Sequence, residues 1–147
     1  CDLDDMEQKA LRVIDANINR LREGLRVVED VCRFMLDDED LSQRLKAVRH
    51  QVRQAGESIA SYQQMLQARD AASDVGASIS NDDERARDDV QRIFAANIKR
   101  AQECCRVLEE FAKLYDGDAS AAFKAMRYDL YTLEKDIFYK MEVNNGD

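Results

Sequence analysis

No proline interrupts the 147 residues of this chain. Average usage is about 5%, so roughly seven would be expected. Glycine occurs only five times, while charged residues make up 35% and hydrophobic ones 45%. Helices exclude proline and glycine and tolerate charge on their outer faces, so the chain reads as all-α. A β-sandwich or barrel would need turn residues every 8–12 positions. The apolar fraction is too high for a disordered tail. No run approaches the ~18 consecutive apolar residues of a membrane span. No signal peptide is read at the start, and opening on Cys1 without Met reads as a trimmed chain.

Apolar residues fall at alternating steps of three and four, the spacing that keeps one helical stripe against a partner. One stripe is Leu11, Ile14, Ile18, Leu21, Leu25, Val28, Cys32 and Met35. A second runs from Leu41 through Leu45, Val48, Val52, Ala55, Ile59 and Tyr62 to Leu66. The third joins Phe94, Ile98, Ala101, Cys105, Leu108, Ala112 and Tyr115, and the fourth Phe123, Met126, Leu130, Leu133, Ile137 and Met141. Helices are expected at 5–36, 39–68, 82–115 and 119–141. Asp37 to Asp40 offer N-caps for the second, Asn81 and Glu84 a capping box for the third, and Gly117 and Asp118 a break before the fourth. Short connections imply antiparallel hairpins within 5–68 and 82–141, and the longer segment 69–81 reads as a functional loop. The expectation is one domain spanning 1–147, an antiparallel bundle of four long helices.

The halves match each other. Residues 12–34 align on 92–114 at an offset of 80, with identities Arg12/Arg92, Ala16/Ala96, Asn17/Asn97, Ile18/Ile98, Arg20/Arg100, Glu23/Glu103, Arg26/Arg106, Val27/Val107 and Glu29/Glu109. At an offset of 78, Lys46-Ala47-Val48-Arg49 meets Lys124-Ala125-Met126-Arg127. This implies two duplicated helical hairpins about an approximate two-fold axis. Six of the nine identities are polar or charged, which core filling alone does not explain.

The first and third helices carry a second apolar seam each: Val13, Ala16, Val27, Val31 and Phe34, and Ile93, Ala96, Val107, Phe111 and Leu114. An Arg and a Glu interrupt each seam. Such seams mark a central helix or an oligomer interface, and charges within them need partners. Two readings stand: a buried Arg20–Glu23, Arg100–Glu103 network that sets register, or arginine forks in a sheltered pocket that binds phosphate or carboxylate. Arg49 and Arg127 extend the basic set, while Arg26/Glu29 and Arg106/Glu109 read as solvated i,i+3 pairs.

The segment ARDAASDVGAS from Ala68 to Ser78 combines Arg69, Asp70, Asp74 and Gly76. Two carboxylates suit Mg²⁺, an arginine suits phosphate, and glycine admits close backbone approach; a helix end with a polar turn is the alternative. No Walker A loop or other nucleotide or hydrolase motif is present. The net charge of −8 disfavours nucleic acid. Four cysteines fit no zinc spacing and read as reduced thiols in a cytoplasmic protein.

The strings DANINRLREGLRVVEDVCRFMLDD, RHQV, ARDAASDVG, NIKRAQECCRVLEEFAKL and AFKAMRYDLYTLEK resemble an all-helical family of bacterial thiamin biosynthesis, the hydroxymethylpyrimidine-phosphate kinase type that also occurs fused ahead of thiamine-phosphate synthase (thiamine-phosphate pyrophosphorylase). The resemblance spans about Leu11 to Lys140, and the NxxRxxExxRxxE repeats and the RDxxxDVG loop are its most specific parts. It implies phosphoryl transfer from ATP to a pyrimidine monophosphate, with Mg²⁺, and association with the synthase. Without strand–helix alternation the chain cannot contain the synthase barrel. At the motif positions, Arg20, Arg49, Arg69, Arg100 and Arg127 are expected to clamp phosphates. Asn17 and Asn97 are expected to hydrogen-bond a ring or ribose, Asp70 and Asp74 to hold Mg²⁺, and Glu23 or Glu103 to orient an arginine or take a proton. The competing expectation is a non-catalytic ligand-sensing or scaffolding domain. A homodimer is a further expectation, because four helices are not expected to cover both second seams.

Overall fold

The computed structural model describes residues 3–70, 74–77 and 89–145. Among them the protein is all-helical. Helix α1 spans Leu3–Asp30 and widens into a π-helical turn over Val31–Met35. Helices α2 (Glu39–Ile59), α3 (Tyr62–Ala68), α4 (Val90–Ala112) and α5 (Gly117–Asn145) follow. No helix among the described residues is long and apolar enough to cross a membrane.

Local chemistry sets the ends. The π turn closes with Leu36 N–H donating to the Val31 carbonyl at 3.0 Å. Asp37 then takes a positive φ of 50°, the left-handed conformation that ends a helix. Asp38 caps α2, its Oδ1 accepting from the Leu41 N–H at 2.9 Å, within the expected Asp37–Asp40 window.

The expected second helix, 39–68, is two helices. Ala60 is extended (φ −158°, ψ 154°), and Ser61 starts α3 through a capping box with Gln64. The chain turns there so that α3 packs on α1. The stripe changes phase at the break: Tyr62 and Leu66, expected in the core, are 76% and 45% exposed, whereas Met65 and Ala68 are buried. The third helix begins at Val90 rather than 82, because Asp89 is extended and caps it, its Oδ1 accepting from Arg92 N–H at 2.8 Å. The capping box expected at Asn81 and Glu84 lies outside the described residues. Gly117 opens α5 instead of separating it from α4.

Packing runs in a ring: α1 on α4, α4 on α5, α5 on α2 and α2 on α1. Along α1 and α4 the contacts run in opposite order. Tyr115 Oη donates to the Glu7 carbonyl at 3.0 Å, and Gly24 lies against Asn97 and Ala101, so these helices are antiparallel. A Cβ on Gly24 would stand 3.1 Å from the Asn97 carbonyl oxygen, which is why glycine sits at this crossing. Ile14, Leu21, Leu25, Leu45, Ile98, Leu108, Phe123, Leu130 and Ile137 fill one continuous core. The first seams therefore face inward as expected, except at Met35, which lies in the π turn and is exposed. Cys32, Cys104 and Cys105 are buried free thiols.

Candidate functional site

Two ion pairs recur at matched positions of the sequence repeat. Arg49 forks onto Glu29 (Nε–Oε2 2.6 Å, Nη2–Oε1 3.2 Å), and Arg127 reaches Glu109 (Nη2–Oε1 3.0 Å). Glu29 and Glu109 are buried. The expected i,i+3 pair forms between Arg106 and Glu109 (Nη1–Oε2 3.4 Å), with Glu109 buried rather than solvated, whereas Arg26 and Glu29 make none among the described residues. A buried carboxylate needs a cation beside it, and each of these arginines ties the second helix of its half to the first. Hydrogen bonds to Tyr131 and Glu109 hold the Arg127 guanidinium firmly protonated. Arg49 and Arg127 are thus engaged in the framework and do not line the cleft described next.

That cleft has a volume of 530 Å³ and opens beside the N-terminal half of α1, beneath the end of α3. Asn17, Arg20, Arg69, Asp70 and Asp74, all singled out from sequence, line it. The break at Ala60 is responsible: it swings α3 onto α1 and delivers Arg69 and Asp70 to the cleft. Arg69 locks this arrangement. Its Nε is 2.8 Å from Asp15 Oδ2 and its Nη2 2.9 Å from Oδ1. This fork raises the Arg69 pKa above its ordinary value. Asn19 Nδ2 donates to Asp15 Oδ1 at 3.3 Å, fixing the carboxylate from the other side. Arg12 Nη2 donates to the Asp70 carbonyl at 3.4 Å.

The cations of the cleft divide into two kinds. Asp15 neutralises Arg69, and Lys9 pairs with Asp5 at 3.2 Å. Arg12 and Arg20 meet no carboxylate within 4.0 Å among the described residues, so their charge is directed at whatever enters. Asp74 turns on itself, Oδ1 accepting from the Gly76 N–H at 2.9 Å, so Gly76 shapes the exposed turn 74–77 and does not line the cleft. Among the described residues no three His, Cys, Asp or Glu side chains group as a metal cage. Asp70 and Asp74 still suit Mg²⁺, which commonly takes one or two carboxylates and keeps several waters.

Several expectations need correction. Arg20, Glu23, Arg100 and Glu103 neither form a buried network nor converge in a sheltered pocket. All four are exposed, and they make no ion pair or hydrogen bond among the described residues. Only Arg20 reaches the cleft; Glu23, Asn97, Arg100 and Glu103 do not. The cause is the side-by-side packing of α1 and α4, which leaves their second seams on one open face, apart from Val31 and Phe111, which join the core. Asn17 and Asn97 each donate to the carbonyl four residues back, Val13 and Ile93, at 2.8 Å, which satisfies the amide within its own helix.

Sequence reasoning missed Lys9, Arg12, Asp15 and Asn19. Arg12 was visible as an identity of the repeat. Asp15 and Asn19 were hidden by that same filter, because their counterparts are Ala95 and Lys99. The signal available was Asp15 itself, an acidic residue one step from the core stripe and only 7% exposed.

Fold and cleft together define an all-helical domain with an arginine- and carboxylate-lined recess beside its first helix. Residues 12–136 match the ThiD2 family, and the chain belongs to it. It is 43% identical over 125 residues to a thiamine-phosphate synthase of Synechocystis sp., covering 84% of this chain and 34% of that protein. A thiamine-phosphate synthase of Nostoc sp. is 37% identical over 132 residues, covering 90% and 36%. One from Prochlorococcus marinus is 45% identical over 126 residues, covering 86% and 34%. The chain thus spans about a third of the length of these curated relatives. No solved structure matches it.

Proposed function

We propose that this domain acts in thiamin biosynthesis by transferring the γ-phosphoryl group of ATP to hydroxymethylpyrimidine phosphate. A phosphate oxygen of the pyrimidine ester attacks the γ-phosphorus. The bond from that phosphorus to the β,γ-bridging oxygen breaks, ADP leaves, and the pyrimidine diphosphate remains. The nucleophile is a phosphate whose second pKa is near 6, so it is largely ionised at neutral pH and needs no carboxylate to deprotonate it. Glu23 and Glu103, outside the cleft, are therefore not required as bases. What the reaction needs is charge neutralisation and alignment.

The observation that carries this reading is the pair of guanidiniums, Arg12 and Arg20, that meet no carboxylate within one cleft while a third, Arg69, is locked by Asp15. Arg12 and Arg20 bind phosphoryl oxygens, and Arg69 holds the segment carrying Asp70 and Asp74 over them. Those two carboxylates would hold Mg²⁺, which supplies further neutralisation of the transferred group when bound. The two halves of the bundle are duplicated antiparallel hairpins within one domain, and the cleft belongs to the first. A homodimer, and association with a thiamine-phosphate synthase, complete the expected partners.

The test is direct. The chain, ATP, Mg²⁺ and hydroxymethylpyrimidine phosphate should yield diphosphate and ADP. Arg12→Ala and Arg20→Ala should each lower kcat/KM at least about tenfold, the loss of one charge-assisted contact. Absence of turnover in the intact chain overturns the kinase reading. The second reading, a ligand-sensing or scaffolding domain of a synthase, draws on the chain spanning only about a third of its relatives. Thermal stabilisation by the pyrimidine phosphate without turnover would support it.

A further inference from the structure

The open face of α1 and α4 is built twice. Reading outward along each helix, the matched pairs are Val13/Ile93, Ala16/Ala96, Arg20/Arg100, Glu23/Glu103, Val27/Val107 and Phe34/Leu114. The two helices are antiparallel, so these matched residues lie about a local two-fold axis near Leu21 and Ala101. Apolar residues stand at both ends of the face and charges at its centre. Val13, Ala16, Val27, Ile93, Ala96 and Val107 are half-buried, while Phe34 and Leu114 are 62% and 68% exposed.

Its charges are balanced, two arginines against two glutamates, although the whole chain carries −8. None of the four makes an ion pair or hydrogen bond among the described residues. A face of this composition is complementary to itself: turned over and laid on a copy, it sets Arg against Glu and apolar ends against apolar ends. Its size is adequate. From Val13 to Phe34 the helix rises about 32 Å, and two adjacent helices are about 20 Å wide. That gives roughly 650 Å² per copy and about 1,300 Å² in total, within the range of specific, stable interfaces.

We propose that this face is the seat of a two-fold homodimer in which α1 and α4 of one protomer pack on the same helices of its partner. Val13, Ala16, Asn17 and Arg20 belong both to this surface and to the wall of the cleft. The second copy therefore stands at the cleft's open side and narrows it, and it brings a glutamate near Arg20, whose charge is then shared between the seam and an anion in the cleft. The dimer rests on the face alone; only its effect on the cleft depends on the proposed activity.

Sedimentation velocity of the full chain tests it. The wild type should sediment at twice the 16.9 kDa chain mass at tens of micromolar. The Phe34→Asp/Leu114→Asp variant should fall to monomer with unchanged circular dichroism. Should that variant unfold, Glu23→Arg/Glu103→Arg changes only exposed side chains, makes the face wholly basic and should likewise give monomer. A monomeric wild type, or a dimer that survives the Glu23→Arg/Glu103→Arg exchange, overturns the proposal. A dimer without turnover would refute the kinase reading and leave this interface standing.

Discussion

Arg69 closes a two-pronged bond on Asp15 across 54 positions of sequence, with both nitrogen–oxygen distances under 3 Å. Asp15 is buried and Arg69 is 41% exposed. Removing the arginine strands the carboxylate, whereas Asp15→Asn removes the charge together with the pair. Arg69→Ala should therefore cost about 2 kcal/mol and Asp15→Asn about 1. Both should lower kinase turnover at least tenfold by releasing the segment that bears Asp70 and Asp74. Arg69→Lys should not restore it, since an ammonium cannot fork. Urea denaturation alongside steady-state kinetics checks the order.

Arg127 and Arg49 should behave differently. Arg127→Ala leaves the buried Glu109 with only the more exposed Arg106, at 3.4 Å, and should cost about 2 kcal/mol. The activity per folded molecule should stay within about twofold of wild type, because Arg127 does not reach the cleft. A hundredfold loss in kcat with stability intact would reinstate Arg127 as a phosphate ligand.

Two helical glycines should respond oppositely to alanine. At Gly24 the added methyl meets the Asn97 backbone carbonyl at 3.1 Å, in the crossing of α1 and α4. At Gly56 it meets the Ile18 Cδ1 methyl at the same 3.1 Å, a side-chain end that rotates aside. Gly56→Ala should be neutral or stabilising by up to about 1 kcal/mol, the helix-propensity gain. Gly24→Ala should destabilise by about 1–2 kcal/mol, since backbone cannot yield. Thermal melts of the pair decide it.

Burial pushes the Cys32 and Cys105 thiols up to about 12 from the ordinary 9.0, with Asp38 and Glu29 adding to the effect at Cys32 and Cys104 at Cys105. Their folded pKa lies above the unfolded one. The stability they contribute is complete below pH 9.0 and is lost as pH rises through about 12, because only the unfolded chain ionises in between. Both thiols should resist a thiol reagent at pH 8 in the native protein and react on unfolding. Replacing both with Ala should flatten the fall in melting temperature above pH 9.

The inward stripes of all four helical runs were legible because the 3.6-residue period and the lack of proline leave little alternative. The break at Ala60 was not, though the Ser61–Gln64 box was there to read: an apolar stripe continuing to Leu66 concealed a change of phase. The cleft was half visible. Asn17, Arg20, Arg69, Asp70 and Asp74 share it, since repetition and loop chemistry both mark them. Asp15 escaped because it has no match in the other half, and the roles of Glu29 and Glu109 escaped because spacing along one helix does not report what a neighbouring helix brings near.

Helix α5 runs unbroken to Asn145, while its matched partner α2 stops at Ile59 and sends a short segment back across α1. A single kink thus assigns different labour to two otherwise similar halves. On the proposed reading the first becomes the working end, with a strap to gather a substrate. The second stays a plain brace, and the ratio of bound nucleotide to polypeptide should be one rather than two.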